Sequence, residues 1–431
     1  MKYIFPNKNL ALFLLLTSSL FALNAYAEDV VEKESPREAQ TSDKPEPAAA
    51  PEAEENPITL KALYTGETWS NLSGGLKTSS VGINKVDLSL EVNAEKAFGW
   101  KGASFLVDAA HNSGNTTSKL TGATQNETTL DTGGTEMYRI TQAWYQQEFF
   151  DGKTSALVGL YDLNSEFDAL EPAGLFFNSA YGLTKTLDQT GLNGPSSYPN
   201  DSLAFRLRQK LNDKWSVQAV VLDGVPEDPA HPKVNTINLS HKDGALLVGE
   251  TDYAASESSK IMFGYWRYTA KFDDLVDTNL TTGEPVKDSD NQGVYTGISE
   301  NLYKQKDDEK RGLDGFLRFG VANGSVNQVD KAVNGGVTYT GLFDSRPEDK
   351  LGLAVAFAHN GGSYKRAEDI AGTPADATET NFELTYRAEL NKWITVQPDV
   401  QYFINPGTSP NSDNALIVGF HVEIGHGFGL L

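Results

Sequence analysis

Large apolar side chains fall on every second residue through much of the chain, with small or charged residues between them. The final stretch shows this most plainly. Leu416, Val418, Phe420, Val422, Ile424, His426, Phe428 and Leu430 hold the even positions, and Gly419, His421, Glu423, Gly425, Gly427 and Gly429 the odd ones. A period of two puts such sets on opposite faces of a β-strand. The same alternation sets Val86, Leu88, Leu90 and Val92 against Asp87, Ser89 and Glu91, and Leu203, Phe205 and Leu207 against Ala204, Arg206 and Arg208. It recurs with Leu313, Leu317, Phe319 and Val321 against Asp314, Arg318 and Gly320, and with Leu351, Leu353, Val355 and Phe357 against Gly352, Ala354, Ala356 and Ala358. Phe382, Leu384 and Tyr386 likewise oppose Glu383, Thr385, Arg387 and Glu389. Soluble antiparallel sheets alternate too. A soluble protein of this length would also carry fully buried, continuously apolar strands, and these are scarce here. The pattern favours strands with lipid on one side and water on the other.

The connections support that reading. Asn212-Asp213-Lys214 and Glu389 to Lys392 look like tight turns, whereas 112–135, 181–201, 272–293 and 364–380 are long and polar. Short turns at one end and long loops at the other are the asymmetry of a transmembrane barrel. Trp69, Trp100, Trp215, Tyr265, Trp266, Tyr268, Trp393 and Tyr402 lie near segment ends, as interfacial girdles require. At about 23 residues per strand and connection, the chain from Pro57 predicts an all-β, antiparallel transmembrane β-barrel of about 16 strands. Such a barrel is wide enough for a water-filled lumen.

The N-terminus changes the picture by adding a destination. Lys2 and Lys8 precede an apolar run from Leu10 to Leu23 and an Ala25-Tyr26-Ala27 site, so residues 1–27 read as a secretory signal peptide. No later run reaches the ~18 apolar residues a membrane-spanning helix needs. Residues 28–56 hold ten Asp/Glu, three Lys/Arg and four prolines. Such composition buries too little apolar surface to offset chain entropy, and it reads as a disordered acidic periplasmic arm, with 57–431 as the barrel domain. The chain has no cysteine and a net charge of −22, which excludes disulfides and argues against nucleic-acid partners.

Several blocks resemble the carbohydrate-selective porin (OprB) family of bacterial outer membranes. The most specific is Glu383-Leu384-Thr385-Tyr386-Arg387 followed by Trp393-Ile394-Thr395-Val396-Gln397-Pro398-Asp399-Val400-Gln401-Tyr402 and Asn405-Pro406-Gly407. Gly335-Gly336, Gly341-Leu342, Arg346-Pro347 and Asp349-Lys350-Leu351-Gly352 match a second block. Phe98-Gly99-Trp100-Lys101-Gly102, Val158 to Asp162 with Phe167, and Phe177-Asn178-Ser179 match earlier ones. Two departures are the missing early Trp-Gly-Gly-x-Arg stretch and the terminal Leu431, with Phe428 placed to serve as the closing aromatic. The resemblance covers most of the chain from about Gly74. It implies a 16-stranded barrel in the outer membrane and passive diffusion of small sugars through a hydrated lumen.

Arg206, Arg208, Arg318, Arg387, Glu383, Asp399 and Asp162 sit on or beside the faces opposite apolar residues, and on a barrel that face is the lumen. Guanidinium and carboxylate forks order vicinal hydroxyls, and Tyr161 offers a ring face with a polar handle. These eight are the expected pore-lining and solute-binding residues; the plainer alternative for each is a solvated wall position. Trp266 reads as a girdle anchor, and Gln397-Pro398-Asp399 as a bulge or bend, since Pro lacks a ladder donor. Asp288 to Gly293 resembles the start of a calcium loop, but Ser299 stands where the bidentate Glu belongs. Neither G-x-S-x-G nor H-E-x-x-H occurs and the six His have no metal-ligand spacing, so no catalytic residue, cofactor or metal is expected. The partners expected are small sugars or other hydrophilic solutes, outer-membrane lipid and the barrel-assembly machinery, with self-association open. The alternative functions are a general or cation-preferring porin, which an acidic lumen would favour, and a barrel enzyme or envelope tether.

Overall fold

The computed structural model describes residues 56–430 except 238, 257, 289 and 307. The expected signal peptide and nearly all of the expected acidic arm lie outside the described residues.

Alternation becomes strand wherever turn residues bound it. The first group is β1 (Ile58–Ser73), β2 (Ser80–Asn93), β3 (Ala103–Gly114), β4 (Met137–Phe149), β5 (Thr154–Tyr161) and β6 (Ser202–Lys210). Next come β7 (Trp215–Asp223), β8 (Ala245–Ser256), β9 (Ser259–Tyr268), and a short hairpin of β10 (Phe272–Thr278) and β11 (Pro285–Asp288). The last group is β12 (Gln292–Gln305), β13 (Asp308–Ala322), β14 (Val329–Thr340), β15 (Lys350–Asn360), β16 (Thr378–Asn391), β17 (Ile394–Ile404) and β18 (Ala415–Gly429). All but the hairpin form one closed barrel of 16 strands, each antiparallel to its neighbours. Closure is between β1 and β18, in register from Thr59↔Gly429 to Asn71↔Ile417.

The two faces are inverted relative to a soluble protein. Leu88, Phe205, Leu353, Leu384, Phe420 and Phe428 are exposed, while Arg206, Arg318, Glu383 and Thr385 on the opposite faces are buried. Only a solvent of lipid makes that arrangement favourable. β1 starts and β18 ends at the rim with short turns, such as 150–153 and 211–214; this rim faces the periplasm. The other rim carries the long connections 115–136, 162–201, 224–244, 269–291 and 361–377. Of these, 269–291 contains the β10–β11 hairpin and 361–377 a helix, Gly362–Ala371.

Three expectations need correction. Trp100, Trp215, Tyr265, Trp393 and Tyr402 are exposed girdle residues, but Trp69, Trp266 and Tyr268 point inward and are fully covered. The parity of their strands places them inside, and segment-end position alone does not reveal parity. At Pro398 there is no bulge: Pro398 pairs with Phe420 in unbroken register. On the other side the β16–β17 pairing skips from Thr385↔Asp399 to Ala388↔Val396, which leaves the missing N–H without a partner to disappoint. Finally, the connection read as 181–201 begins at 162 and is twice as long as expected.

Candidate functional site: the barrel interior

The lumen is largely filled. Connection 162–201 turns inward after β5, and Leu163, Phe167, Leu170, Phe176, Tyr181 and Leu187 from it are buried. They pack in one apolar cluster with Val220, Leu246, Met262, Trp266, Tyr295 and Phe316 from the facing walls. On β15 the inner-face residues Gly352, Ala354 and Ala356 are small, so that the chain can approach. A Cβ added at Gly352 would lie 2.7 Å from Leu175 and 2.8 Å from Phe176. Connection 115–136 folds in beside it, with Leu120 and Ala123 packed against Trp69, Ile83, Phe403 and Ile417.

Polar side chains of the wall hold these inserted segments by their backbone. The Arg318 guanidinium donates to the carbonyls of Asp168 at 2.6 Å, Gly182 at 2.5 Å and Ala180 at 2.9 Å, and pairs with the Asp168 carboxylate at 3.3 Å. Asn334 donates to the same Ala180 carbonyl at 2.7 Å. Glu250 accepts from Asp168 N–H at 2.8 Å and the Tyr295 hydroxyl at 2.7 Å. Glu383 accepts from the N–H groups of Phe177 and Asn178 at 2.6 and 3.0 Å, and Glu379 from those of Thr124 and Gln125, both at 2.8 Å. A loop inside a barrel leaves backbone groups far from bulk water, so each must find a partner. Burial pushes the Asp168 carboxyl above the usual range, against the opposing pull of Arg318 and Thr184.

The expected site residues fall into separate places. Arg206 and Tyr161 meet at Glu166: Arg206 forks to it at 2.8 and 3.0 Å, and the Tyr161 hydroxyl donates to it at 2.7 Å. Arg208 lies one inner position further along β6, level with Gln218, and its Nε has no partner. Asp162 opens connection 162–201, accepting from Asn164 N–H at 2.9 Å. Arg318 and Glu383 are the loop clamps described above, and each is 1 % exposed. Asp399 lies near Glu383 on β17 and accepts from Gln401 at 3.1 Å. Arg387 stands apart from all of these, paired with Glu423 at 2.7 Å. From Glu423 a chain runs through His421 (3.1 Å) and Glu67 (2.9 Å) to the Trp69 indole N–H (2.8 Å) across the closing seam.

Sequence reasoning passed over the inner face of β2 to β4. There Lys85 pairs with Asp87 at 2.9 Å and lies 4.1 Å over the ring of Tyr198. Ser89 donates to Asp108, Gln142 donates to Asp108 at 3.3 Å, and Lys61 pairs with Glu91 at 2.9 Å. These side chains remain partly open to solvent. Their signal was present, since Asp87, Ser89 and Glu91 alternate with Leu88 and Leu90. Among the described residues no group of three or more His, Asp or Glu side chains is placed to hold a metal.

Comparison with known proteins agrees with this geometry. Porin B of Pseudomonas aeruginosa is 26% identical over 395 residues, covering 84% of this chain and 86% of that protein. The putative porin QuiX of Acinetobacter baylyi is 23% identical over 393 residues, covering 84% and 88%. The high-pH structure of Pseudomonas putida OprB shares the fold with a TM-score of 0.77 at 24% identity, covering 87% of this chain and 95% of that one. Its low-pH structure aligns with a TM-score of 0.54 at 19% identity, covering 87% and 94%. Residues 81–425 match the family described as carbohydrate-selective porin, OprB family. With the barrel, its inward loops and these relatives together, the chain belongs to the carbohydrate-selective porins and is an outer-membrane channel for passive diffusion of small carbohydrates.

Proposed function

We propose that solutes pass along the inner face of β2 to β4, where Lys85, Asp87, Ser89, Asp108 and Gln142 offer donors and acceptors within one strip, and that connection 162–201 forms the opposite wall. The observation that carries this is the asymmetry of the interior. The β5 to β15 side is packed with apolar side chains, while the β2 to β4 side keeps polar groups partly solvated. In this reading the eight candidate residues serve the pore in two ways. Arg206, Tyr161, Asp162, Arg318, Glu383 and Asp399 set the shape and position of the loop, and Arg208 and Arg387 face the water-filled remainder. Neutral sugars suit a strip of alternating charge, because each hydroxyl finds both a donor and an acceptor, whereas a single-sign strip would select ions. Flux follows the gradient, and no chemical step is assigned to any residue.

Residues 1–27 are removed on export in this proposal, and 28–56 extend into the periplasm as an acidic arm. The barrel-assembly machinery is the partner in insertion. The general or cation-preferring alternative makes a different electrical prediction. Planar-bilayer recordings of the refolded protein test both: glucose added at millimolar concentration should reduce ion current in a saturable way, with weak cation preference. Strong cation selectivity without sugar block would favour the general porin.

A further inference from the structure

We propose that the extracellular mouth holds a monosaccharide-binding pocket, distinct from the inner-wall strip, at which a neutral sugar docks before it enters the barrel. A cavity of about 290 Å³ lies where connections 115–136, 162–201 and 224–244 converge. Small-molecule sites run from roughly 300 to 1,000 Å³, so this one suits a single sugar ring and not an oligosaccharide.

One wall includes Arg139, at the mouth end of β4 and 6 % exposed. The guanidinium donates to the carbonyls of Pro199 at 2.7 Å and Pro232 at 2.6 Å and to the Asn200 side chain at 2.8 Å. One side chain thereby ties two connections together and fixes the cavity's shape. Its Nε is buried and has no hydrogen-bond partner. That atom has almost no accessible surface, so the hydrogen-bonding capacity open to a ligand lies with Asp228. Asp228, also in the lining, accepts from Ala230 N–H at 2.9 Å and pairs with His231 at 2.8 Å. An ionised carboxylate has about four acceptor positions, so Asp228 retains capacity for hydroxyl groups. Pro199, Pro229, Pro232 and Met137 supply apolar walls suited to the C–H faces of a pyranose, and the prolines make them rigid before binding.

Charge decides between ligand classes. Asp131 and Asp228 line the cavity against the one guanidinium of Arg139, which disfavours phosphorylated or carboxylated solutes and leaves neutral polyols. The proposal rests on the carbohydrate reading of the barrel, and its test separates the two.

The test uses refolded full-length barrel in detergent, with D-glucose and glucose 6-phosphate as probes in saturation-transfer NMR, and the same preparations in proteoliposomes. Thr135→Trp fills the cavity from one rim. Asp228→Asn keeps the shape and weakens the acceptor. Asp228→Asn replaces a charged acceptor with a neutral one and should raise the glucose half-saturation about three- to tenfold; Thr135→Trp, which occupies the cavity, should raise it further, and sugar-free conductance stays unchanged in both. Glucose should bind more tightly than glucose 6-phosphate. If Thr135→Trp gives no heat-modifiable band, Asp228→Asn decides alone. Unchanged half-saturation in a folded variant, or preference for the phosphate ester, overturns the pocket. Wild-type proteoliposomes impermeable to glucose would instead overturn the carbohydrate reading itself.

Discussion

At the scale of single residues, the interior holds charges whose partners are loop backbone, and a carboxylate, Asp201, that has no hydrogen-bond partner among the described residues. Asp201 is 2 % exposed and neither oxygen has a hydrogen-bond partner. Burial first, and the Asp162 charge second, hold its carboxyl well above the usual carboxylate range. The folded protein therefore keeps this proton at pH values where the unfolded chain has lost it. Stability from the group is complete below the unfolded value of about 3.9 and declines as pH rises toward the raised folded value. Asp201→Asn should accordingly resist urea better than the wild type at pH 8, by about 1 kcal/mol, with the advantage gone by pH 4. An advantage that is equal at both pH values would mean that the carboxyl titrates normally. Arg206, Arg318 and Glu383 could be read from sequence as inward-facing because apolar residues flank them at a period of two. Their partners could not. Arg318 bonds carbonyls about 140 residues away, and a backbone carbonyl leaves no trace in residue identity.

At the scale of elements, alternation predicts the facing of strands well, and the consequences differ sharply between adjacent residues. Leu88 is exposed on the outer face of β2, and Ser89 points to the lumen beside Asp108. Leu88→Arg should lower barrel yield in the outer membrane, since Arg near the bilayer midplane costs about 2–4 kcal/mol. Ser89→Arg should assemble normally and reduce glucose flux. Equal yields for the two would show that β2 has the opposite parity. Ala354 and Thr385 also face inward, but they are buried beneath connection 162–201, so an Arg there would have to displace the loop. The sequence did carry a hint of that cover. Gly352, Ala354, Ala356 and Ala358 are uniformly small on the inner face of β15, where open water would not require smallness. The loop itself was half hidden because its first part, with Leu163, Phe167, Leu170 and Phe176, is as apolar as a strand but lacks alternation. Its hold depends on Arg318. Replacing Arg318 with Met leaves Asp168 buried without its cation, a change of about 3–5 kcal/mol for such a pair. Single-channel traces of this variant should become larger and noisier, and limited proteolysis should cut within 162–201. A quiet channel of wild-type conductance would mean that apolar packing and the Glu250, Asn334 and Glu383 contacts hold the loop without Arg318.

At the scale of the whole molecule, one chain solves two burial problems with opposite solvents. Its outer surface is apolar because lipid surrounds it. Its inner wall is polar and solvated along β2 to β4, and beneath connections 115–136 and 162–201 it combines apolar packing with buried polar clamps such as Arg318, Glu250 and Glu383. Sixteen strands enclose more space than a sugar needs, and the inserted segments reduce it to a passage beside β2 to β4. Because the chain contains no cysteine, that passage can be located directly with single introduced thiols. Ser89→Cys lies on the proposed passage and Ala356→Cys lies under the loop, where Ala356 is 1 % exposed. The decisive measurement is ion current and glucose flux through each variant before and after a positively charged methanethiosulfonate reagent. Ser89→Cys should be modified and lose both current and flux, while Ala356→Cys should be unaffected. Block at Ala356→Cys with Ser89→Cys unaffected would place the passage on the other side of the barrel and contradict the assignment.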